Sequence, residues 1–307
     1  MMKEEFILRS GSDGLDISCL MIRPEGKPKA ILQIAHGMCG YKERYMGFME
    51  YMSSHGVVCV ANDHRGHGKS IRSKNDLGYM YSGGYEALTG DMRMVHEFIS
   101  GLYPDVPVYL LGHSMGSLAS LLYSRKWADS LSGLILCGIP YYELSFIHSY
   151  SFFRFLSNAG CGHIRFPLLQ NLGSARFNYR FADEGTMAWT CSDPAVRQAF
   201  LDNPSGNFNF TLNGYMNLIG MLKEVYSSDS WINTELPGHV LLLSGADDPC
   251  TAYGKSMDVI SLLVNNYCLK DIDVRRHTYP KMRHEILNEI YKVQVWDDIL
   301  SFLFNLH

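Results

Sequence analysis

The pentapeptide Gly112-His113-Ser114-Met115-Gly116 is the feature of the sequence that most limits how the chain can fold. It follows an apolar run at residues 108–111 and precedes a helix-like run at residues 117–123. Gly-x-Ser-x-Gly in this setting predicts a nucleophile elbow, a sharp turn that holds the serine in a strained backbone conformation. Glycine suits the flanking positions because a side chain there would clash with the neighbouring strand or helix. The same pattern also arises by chance in surface turns, so a catalytic Ser114 requires partners elsewhere in the chain.

Composition restricts the class of protein. The 307 residues suffice for one large α/β domain with an insertion, and a hydrophobic content of 47% supplies a sizeable core. The net charge of -4 argues against nucleic acid as a partner, because such partners usually require a basic face. The N-terminal residues lack the apolar stretch of a signal peptide, and no apolar run is long enough to span a bilayer. The 8 cysteines are scattered without a Cys-x-x-Cys pair, which favours reduced thiols in a cytoplasmic protein over a disulfide or zinc framework.

Strand-like and helix-like segments alternate along most of the chain. Residues 5–9 and 17–22 predict a hairpin. Later apolar runs predict further strands at residues 30–35, 57–61, 108–111, 131–137, 239–244 and 274–279. Apolar residues at helical spacing predict helices near residues 45–52, 88–102, 117–123, 257–264 and 293–303. This alternation predicts an α/β fold with a mostly parallel central sheet flanked by helices, whose reactive groups lie at the carboxyl ends of the strands.

The alternation is interrupted between residues 141 and 235, a segment rich in aromatic residues and asparagine. Connections in α/β units are usually about 2–6 residues long, so a segment of this length predicts an inserted, mainly helical cap. The predicted core then comprises residues 1–140 and 236–307. The apolar side chains of the cap suit an acyl chain, although most of them are expected to form the cap's own core. They are Phe146, Phe152, Phe153, Phe155, Leu156, Phe166, Phe177, Phe208, Phe210, Tyr215, Met216, Leu218 and Met221.

A serine nucleophile needs a base, and the base needs an orienting carboxylate. In the chain order serine, acid, histidine, the acid should follow the first strand after the cap, where Asp247 and Asp248 both lie. We favour Asp248, while the other carboxylate would cap a helix or support the turn. His284 follows the last predicted strand and is the candidate base, whereas His277 lies within that strand and is the weaker candidate.

Two backbone N–H groups are expected to form an oxyanion hole. One should come from Met115, the residue after the nucleophile. The other should come from the loop after the strand at residues 30–35, and Met38 is its expected donor.

A second Gly-rich segment, Asp63-His64-Arg65-Gly66-His67-Gly68-Lys69-Ser70, follows the strand at residues 57–61. Its two histidines suggest a metal site, but no further His, Cys or acidic cluster has ligand spacing with them. We therefore interpret the segment as a rigid loop that braces the floor of the active site. No metal and no cofactor is expected.

The sequence resembles the monoacylglycerol lipase and lysophospholipase-like branch of the α/β-hydrolase superfamily, of the S33 serine aminopeptidase type. The matching pieces span the core on both sides of the cap: His36-Gly37, Arg44-Tyr45, the segment 63–70, the pentapeptide at 112–116, Gly245-x-x-Asp248-Pro249 and Arg283-His284-Glu285. The resemblance implies an α/β-hydrolase fold, and its Gly-x-x-Asp spacing supports Asp248 over Asp247. One departure is that the family's Glu-His pair before Arg-Tyr is replaced by Gly40 and Tyr41, which puts fine substrate preference in doubt.

The expected activity is hydrolysis of carboxylic esters of single-chain lipids, through a Ser114–His284–Asp248 triad and an acyl-enzyme. An acyltransferase, a peptidase and a carbon–carbon bond hydrolase are alternatives of the same fold, and a ligand-binding protein without activity is a further one. The expected partner is a lipid-like ester, with transient contact between the cap and a lipid surface. The sequence leaves the acyl-chain length, the head group and the oligomeric state open.

Overall fold

A single eight-stranded sheet forms the centre of the computed structural model, which describes residues 1–142 and 149–305. The strands are β1 (Met2–Arg9), β2 (Asp16–Arg23), β3 (Ala30–Ala35), β4 (Val57–Asn62), β5 (Val108–His113), β6 (Gly133–Cys137), β7 (His239–Gly245) and β8 (Asp273–Tyr279). Their order is β1-β2-β4-β3-β5-β6-β7-β8, and only β2 runs against its neighbours. The remaining pairs, from β4 through β3 to β8, are parallel, which confirms the mostly parallel sheet.

Helices cover both faces of the sheet. The α-helices are α1 (Met46–Ser54), α2 (Gly84–Leu102), α3 (Met115–Lys126), α4 (Tyr150–Leu156), α5 (Pro167–Asn178), α6 (Pro194–Asp202), α7 (Leu212–Tyr226), α8 (Lys255–Tyr267) and α9 (Lys292–Phe304). Short 3₁₀ turns occupy Lys42–Tyr45, Lys74–Asp76, Ala128–Ser130, Tyr179–Glu184 and Ser228–Trp231, and a π-helical turn occupies Ser157–Cys161. One apolar core joins the sheet to α2, α3 and α8, and a second joins it to α1 and α9. The central parallel strands are accordingly buried along their whole length.

The parallel register places the carboxyl ends of neighbouring strands side by side. Ala35 at the end of β3 pairs with Gly112 of β5, and the next residue of β5, His113, pairs with Cys137 at the end of β6. Gly245 at the end of β7 pairs with Tyr279 at the end of β8. The loops that leave these four strand ends therefore meet at one edge of the sheet.

Between β6 and β7 the described residues carry helices α4 to α7 and no strand of the sheet, in agreement with a mainly helical insertion. The division into a core of residues 1–140 and 236–307 and a cap of residues 141–235 stays a prediction. Residues 143–148, with Phe146, and residues 306–307 lie outside the described residues. Among the described apolar cap side chains, Phe153 and Phe210 are buried, whereas Phe152 and Phe155 are exposed.

Candidate active site

Ser114 lies at the turn between β5 and α3, as the pentapeptide predicts. Its backbone has φ 55° and ψ -122°, a region that side-chain-bearing residues rarely adopt. The turn is held by a hydrogen bond from the Ser114 N–H to the carbonyl of Cys137, at 2.9 Å, and by one from the Ser117 N–H to the Ser114 carbonyl, at 2.8 Å. Ser114 is only 9% exposed.

The two glycines of the pentapeptide allow the close approach that the turn requires. A Cβ atom on Gly112 would lie 2.4 Å from the carbonyl oxygen of Gly116, in helix α3. A Cβ atom on Gly116 would lie 2.1 Å from the carbonyl oxygen of Ala35, at the end of β3. The expectation that a side chain here would clash with helix or strand is therefore confirmed.

We expect Gly116→Ala to lower the free energy of unfolding by about 3 kcal/mol, because the strand carbonyl that meets the new methyl group cannot move without disrupting the sheet. Urea denaturation followed by circular dichroism measures the change. The control is Gly90→Ala in α2, where nothing lies within 4 Å of the added Cβ atom and stability should rise by about 0.5–1 kcal/mol. Equal unfolding midpoints for the two variants would contradict the close packing at Gly116.

Asp248 and His284 form a buried pair at the ends of β7 and β8. The Nδ1–H of His284 donates a hydrogen bond to Oδ2 of Asp248 at 2.8 Å, and the two residues are 4% and 0% exposed. The other carboxylate oxygen of Asp248 accepts the N–H of Cys250 at 2.8 Å, so both oxygens are held. Asp247 is half-buried and its backbone N–H donates to Met282, while its side chain makes no hydrogen bond among the described residues. His277 lies inside β8.

The electrostatic environment favours the charged form of His284. Burial lowers its pKa, but the negative charge of Asp248, their hydrogen bond and the charge of Glu285 outweigh burial and raise the pKa above 6.5. Glu285 remains ionised: burial raises its pKa, but the charge of Arg44, with smaller contributions from neighbouring histidines, lowers it to about 2. Arg44 contacts the Glu285 carboxylate at 2.9 Å.

The side chains of Ser114 and His284 form no hydrogen bond with each other in the described part of the chain. His113, which precedes the serine in the chain, joins the loop of Ser114 to the loop of His284. Its Nε2–H donates to the backbone carbonyl of His284 at 3.1 Å, and its Nδ1 accepts the hydroxyl of Tyr45 at 3.2 Å. Hydrogen bonds between catalytic groups are often long in unliganded sites and tighten when substrate binds.

The loop after β3 runs directly against the serine. A Cβ atom on Gly37 would lie 2.9 Å from the Cβ atom of Ser114, so Met38 follows at the point of closest approach. Met115 is the first residue of α3, where the N–H group has no acceptor within the helix. Among the described residues, neither the Met38 N–H nor the Met115 N–H donates a hydrogen bond. The role of these two N–H groups as oxyanion donors stays a prediction.

A segment of the insertion, residues 184–192, lies against the loop that carries His284, a contact that no residue pattern predicted. We call this segment the cap strap. The N–H of Glu285 donates to the carbonyl of Thr190 at 2.7 Å, and the guanidinium of Arg283 donates to the carbonyl of Ala188 at 2.6 Å. These contacts join residues about a hundred positions apart, so no local pattern signals them.

The loop at residues 63–70 is rigidly held. Asp63 is fully buried, and its Oδ2 accepts a hydrogen bond from Nζ of the equally buried Lys42 at 2.9 Å. The rings of His64 and His67 lie 4.2 and 5.1 Å from the ring of His36, and burial lowers the pKa of both His36 and His67 to about 3. Within residues 1–142 and 149–305, no three His, Cys, Asp or Glu side chains are grouped to hold a metal ion.

The sequence matches a known protein family. The family model described as "Serine aminopeptidase, S33" matches residues 26–291. The monoglyceride lipase of Mus musculus is 31% identical over 125 residues, which cover 41% of this chain and 40% of the lipase. The alignment thus spans about two fifths of the length of that lipase. The monoacylglycerol lipase of Mycolicibacterium smegmatis is 23% identical over 295 residues, which cover 96% of this chain and 95% of that protein.

Among solved structures, a thermostable carboxyl esterase from Bacillus coagulans in complex with glycerol superimposes with a TM-score of 0.89. It is 24% identical, and the match covers 100% of this chain and 99% of the esterase. This likeness establishes the fold, and the family model covers most of the chain. The chain therefore has the α/β-hydrolase fold and belongs to the serine aminopeptidase, S33 family, in its monoacylglycerol lipase-like branch.

Proposed function

We propose that this protein is a serine hydrolase that cleaves carboxylic esters of single-chain lipids, of the monoacylglycerol or lysophospholipid type. The observation that carries the proposal is the buried Asp248–His284 hydrogen bond beside a serine with a strained backbone. Ser114 attacks the ester carbonyl while His284 takes its proton, and Asp248 stabilises the imidazolium that forms. The N–H groups of Met38 and Met115 stabilise the oxyanion. His284 then protonates the leaving alcohol and activates the water that hydrolyses the acyl-enzyme.

The substrate class rests on the relatives and on the insertion. The matching curated proteins include monoglyceride lipases, and the Bacillus coagulans esterase was solved with glycerol. Apolar cap side chains that are only partly buried, such as Phe177 and Met216, provide surface for an acyl chain, which gains about 0.8 kcal/mol per buried CH₂. We propose that residues 141–235 act as the cap over the site.

A panel of esters tests the proposal. The panel varies acyl-chain length and head group, and includes monoacylglycerols, lysophospholipids and simple alkyl esters. A peptide amide belongs in it too, because the description of the family names an aminopeptidase. We expect the highest kcat/KM for single-chain lipid esters. Faster cleavage of the peptide would favour a peptidase, and failure of a fluorophosphonate probe to label the protein would indicate a protein without a reactive serine.

The pH profile of hydrolysis should report the environment of His284. The imidazole acts as a base only when neutral, and its pKa is raised above 6.5. Activity should therefore be present above this pKa and be lost as the pH falls through it, so the acid limb of log kcat/KM lies above pH 6.5. Glu285→Gln removes a charge that raises the pKa and should move the limb to lower pH. A limb that does not move in this variant would contradict the electrostatic role of Glu285.

We also propose that the cap makes transient contact with an anionic lipid surface. Large apolar side chains of the insertion are exposed, and they form what we call the cap patch: Phe152, Phe155, Ile164, Phe166, Leu168, Leu172 and Tyr179. Residues 149–182 contain the arginines Arg154, Arg165, Arg176 and Arg180 and no acidic residue, in a chain whose net charge is -4. Apolar side chains among cations suit the boundary of an anionic bilayer. Among the described residues, no helix combines the length and hydropathy needed to cross a bilayer.

Flotation with lipid vesicles tests this contact. We expect the protein to float with vesicles that contain phosphatidylglycerol, and less with pure phosphatidylcholine. The double variant Leu168→Gln, Leu172→Gln removes two exposed side chains one turn apart in α5 and should weaken flotation. Leu262→Gln, at an equally exposed leucine of α8, is the control. Equal flotation of both variants would contradict the cap patch as the contact.

A further inference from the structure

Glu289 is a buried carboxylate that the mechanism above does not use. The buried acidic residues in the described part of the chain are Asp63, Asp91, Asp248 and Glu289. Each of the first three contacts a Lys, Arg or His side chain, whereas Glu289 forms no ion pair with a described residue. Burying a carboxylate costs free energy unless other groups compensate, so the hydrogen bonds of Glu289 indicate what it does.

The carboxylate of Glu289 joins the loop of the proposed base to the cap strap. Its Oε1 accepts the backbone N–H of Arg283 and the backbone N–H of Ser192, each at 2.9 Å. Its Oε2 accepts the hydroxyl of Ser192, and the N–H of Ile290 at 3.4 Å. Arg283 directly precedes His284, and Ser192 is the last residue of the cap strap. One carboxylate oxygen therefore holds both segments.

The backbone around His284 has further contacts on either side of it. Nε2–H of His113 donates to the His284 carbonyl at 3.1 Å. The N–H of Glu285 donates to the carbonyl of Thr190, in the cap strap, at 2.7 Å. The ring centre of Trp189, also in the cap strap, lies 5.2 Å from that of His284. The cap strap thus packs beside the imidazole as well as the loop, so a shift between the two segments would move the base relative to the nucleophile.

We infer that Glu289 is a positioning residue: by fixing the loop of His284 to the cap strap, it holds the imidazole where it can take the proton of Ser114. The inference rests on the proposed ester hydrolysis and adds a residue to it. Glu289 is only 1% exposed, so it acts through the backbone of its neighbours and not on the substrate. Positioning matters for turnover because a displacement of about 1 Å can cost about 100-fold in rate.

Two conservative variants separate the reach of the side chain from its charge. Glu289→Gln keeps the reach and an oxygen for both backbone N–H groups, but removes the negative charge. Glu289→Asp keeps the charge, but its carboxylate is withdrawn by about 1.5 Å, the length of one carbon–carbon bond. A positioning role requires the reach, whereas a purely electrostatic effect on His284 requires the charge.

We expect kcat for ester hydrolysis to fall by about 10- to 100-fold in Glu289→Asp and to stay within about 3-fold of wild type in Glu289→Gln. KM should change little in both variants, since the side chain does not touch the substrate. Rates are expressed per active site titrated with a fluorophosphonate, so misfolded protein does not contribute. The acid limb of log kcat/KM should stay in place in Glu289→Gln, because the charges that raise the pKa of His284 are those of Asp248 and Glu285.

Tyr109→Phe is the control for a loss of stability alone. The hydroxyl of Tyr109 is buried near the start of β5, where it donates to the carbonyl of Leu303 at 3.0 Å. Its removal should lower the unfolding midpoint in urea and leave kcat per titrated site unchanged. Ser192→Ala tests the other side of the contact: it removes one donor of the cap strap and should lower kcat by about 3-fold.

The variants distinguish the possible failures. A larger fall of kcat in Glu289→Gln than in Glu289→Asp would overturn the inference, as would equal values in both. An equal fall in Tyr109→Phe and Glu289→Asp would assign Glu289 a merely structural role and overturn it too. If either Glu289 variant does not fold, Ser192→Ala decides, and a kcat equal to that of wild type overturns the inference.

Failure of the proposed function gives a different result. Wild type that reacts with the fluorophosphonate but hydrolyses no ester overturns the proposed ester hydrolysis alone. The labelling rates of the variants then test the positioning of His284, with the same order expected. Wild type that is neither labelled nor active overturns the proposed function and the inference with it.

Discussion

Ser114→Ala should reduce kcat/KM for ester hydrolysis by about 10⁶-fold, the loss typical of a triad nucleophile. The variant lacks the oxygen that would form the acyl-enzyme. A water molecule that attacked the ester directly would not be held beside the ester carbonyl as the Ser114 oxygen is. The fold should persist, because the Ser114 side chain makes no hydrogen bond with His284 and the turn is held by backbone groups. Steady-state kinetics on the best ester of the panel, with circular dichroism of both proteins, measures the effect.

Ser120→Ala is the matched control for this variant. Ser120 lies in the same helix, α3, and its buried hydroxyl has no hydrogen-bond partner among the described residues. Its removal should leave both activity and fluorophosphonate labelling close to the wild-type values. Ester hydrolysis by purified Ser114→Ala at a rate near wild type would show that another residue is the nucleophile.

The central strands were predictable because they are buried on both faces and therefore form continuous apolar runs. The predicted strand at residues 30–35 coincides with β3, Ala30–Ala35, and the run at residues 57–61 differs from β4 by one residue. Edge strands carry a weaker signal. The pattern predicted β1 only from residue 5, whereas the strand begins at Met2. The first residues of β1 are exposed, and polar side chains there do not alternate with apolar ones, so the pattern did not reveal them.

The candidate site was predictable where the topology alone dictates it. In a parallel sheet the ends of β5, β7 and β8 share one edge, so the order serine, acid, histidine already indicates which loops meet. The topology does not choose between Asp247 and Asp248, because adjacent residues of a turn point in different directions. The hydrogen bond of Asp248 with His284 depends on the turn that the Cys250 N–H stabilises, and the residue pattern alone does not specify that turn.

The docking of the insertion on the core was not predictable from local patterns. Phe152 is 61% exposed and Phe153 is 8% exposed, although the two are adjacent and identical in type. Their helix, α4, directs Phe153 toward α7 and Phe152 outward, and the amino-acid composition does not predict that orientation. Trp189 is a similar case: its position beside His284 depends on hydrogen bonds between the cap strap and a loop about a hundred residues later in the chain.

Asp248→Asn should lower kcat/KM for ester hydrolysis by about 10⁴-fold, because it changes the protonation of His284 without changing the shape of the site. In the protein, one oxygen of Asp248 accepts the N–H of Cys250 and the other accepts Nδ1–H of His284. With asparagine, the carbonyl oxygen keeps the Cys250 N–H and the NH₂ group then faces Nδ1. The imidazole must accept there and carry its proton on Nε2, where it cannot take the proton of Ser114.

The control for this variant is Asp247→Asn, which makes the same chemical change at the adjacent residue. The Asp247 side chain makes no hydrogen bond within the described residues, so this variant should keep nearly full activity. Parallel measurement of kcat/KM and of thermal unfolding separates an effect on the imidazole from an effect on stability. If Asp247→Asn were the inactive variant and Asp248→Asn the active one, the acid of the proposed triad would be Asp247. If both variants stayed active, His284 would act without a carboxylate partner. The pKa of His284, which sets the acid limb of the pH profile, would then lack the charge of Asp248, the largest of the causes that raise it.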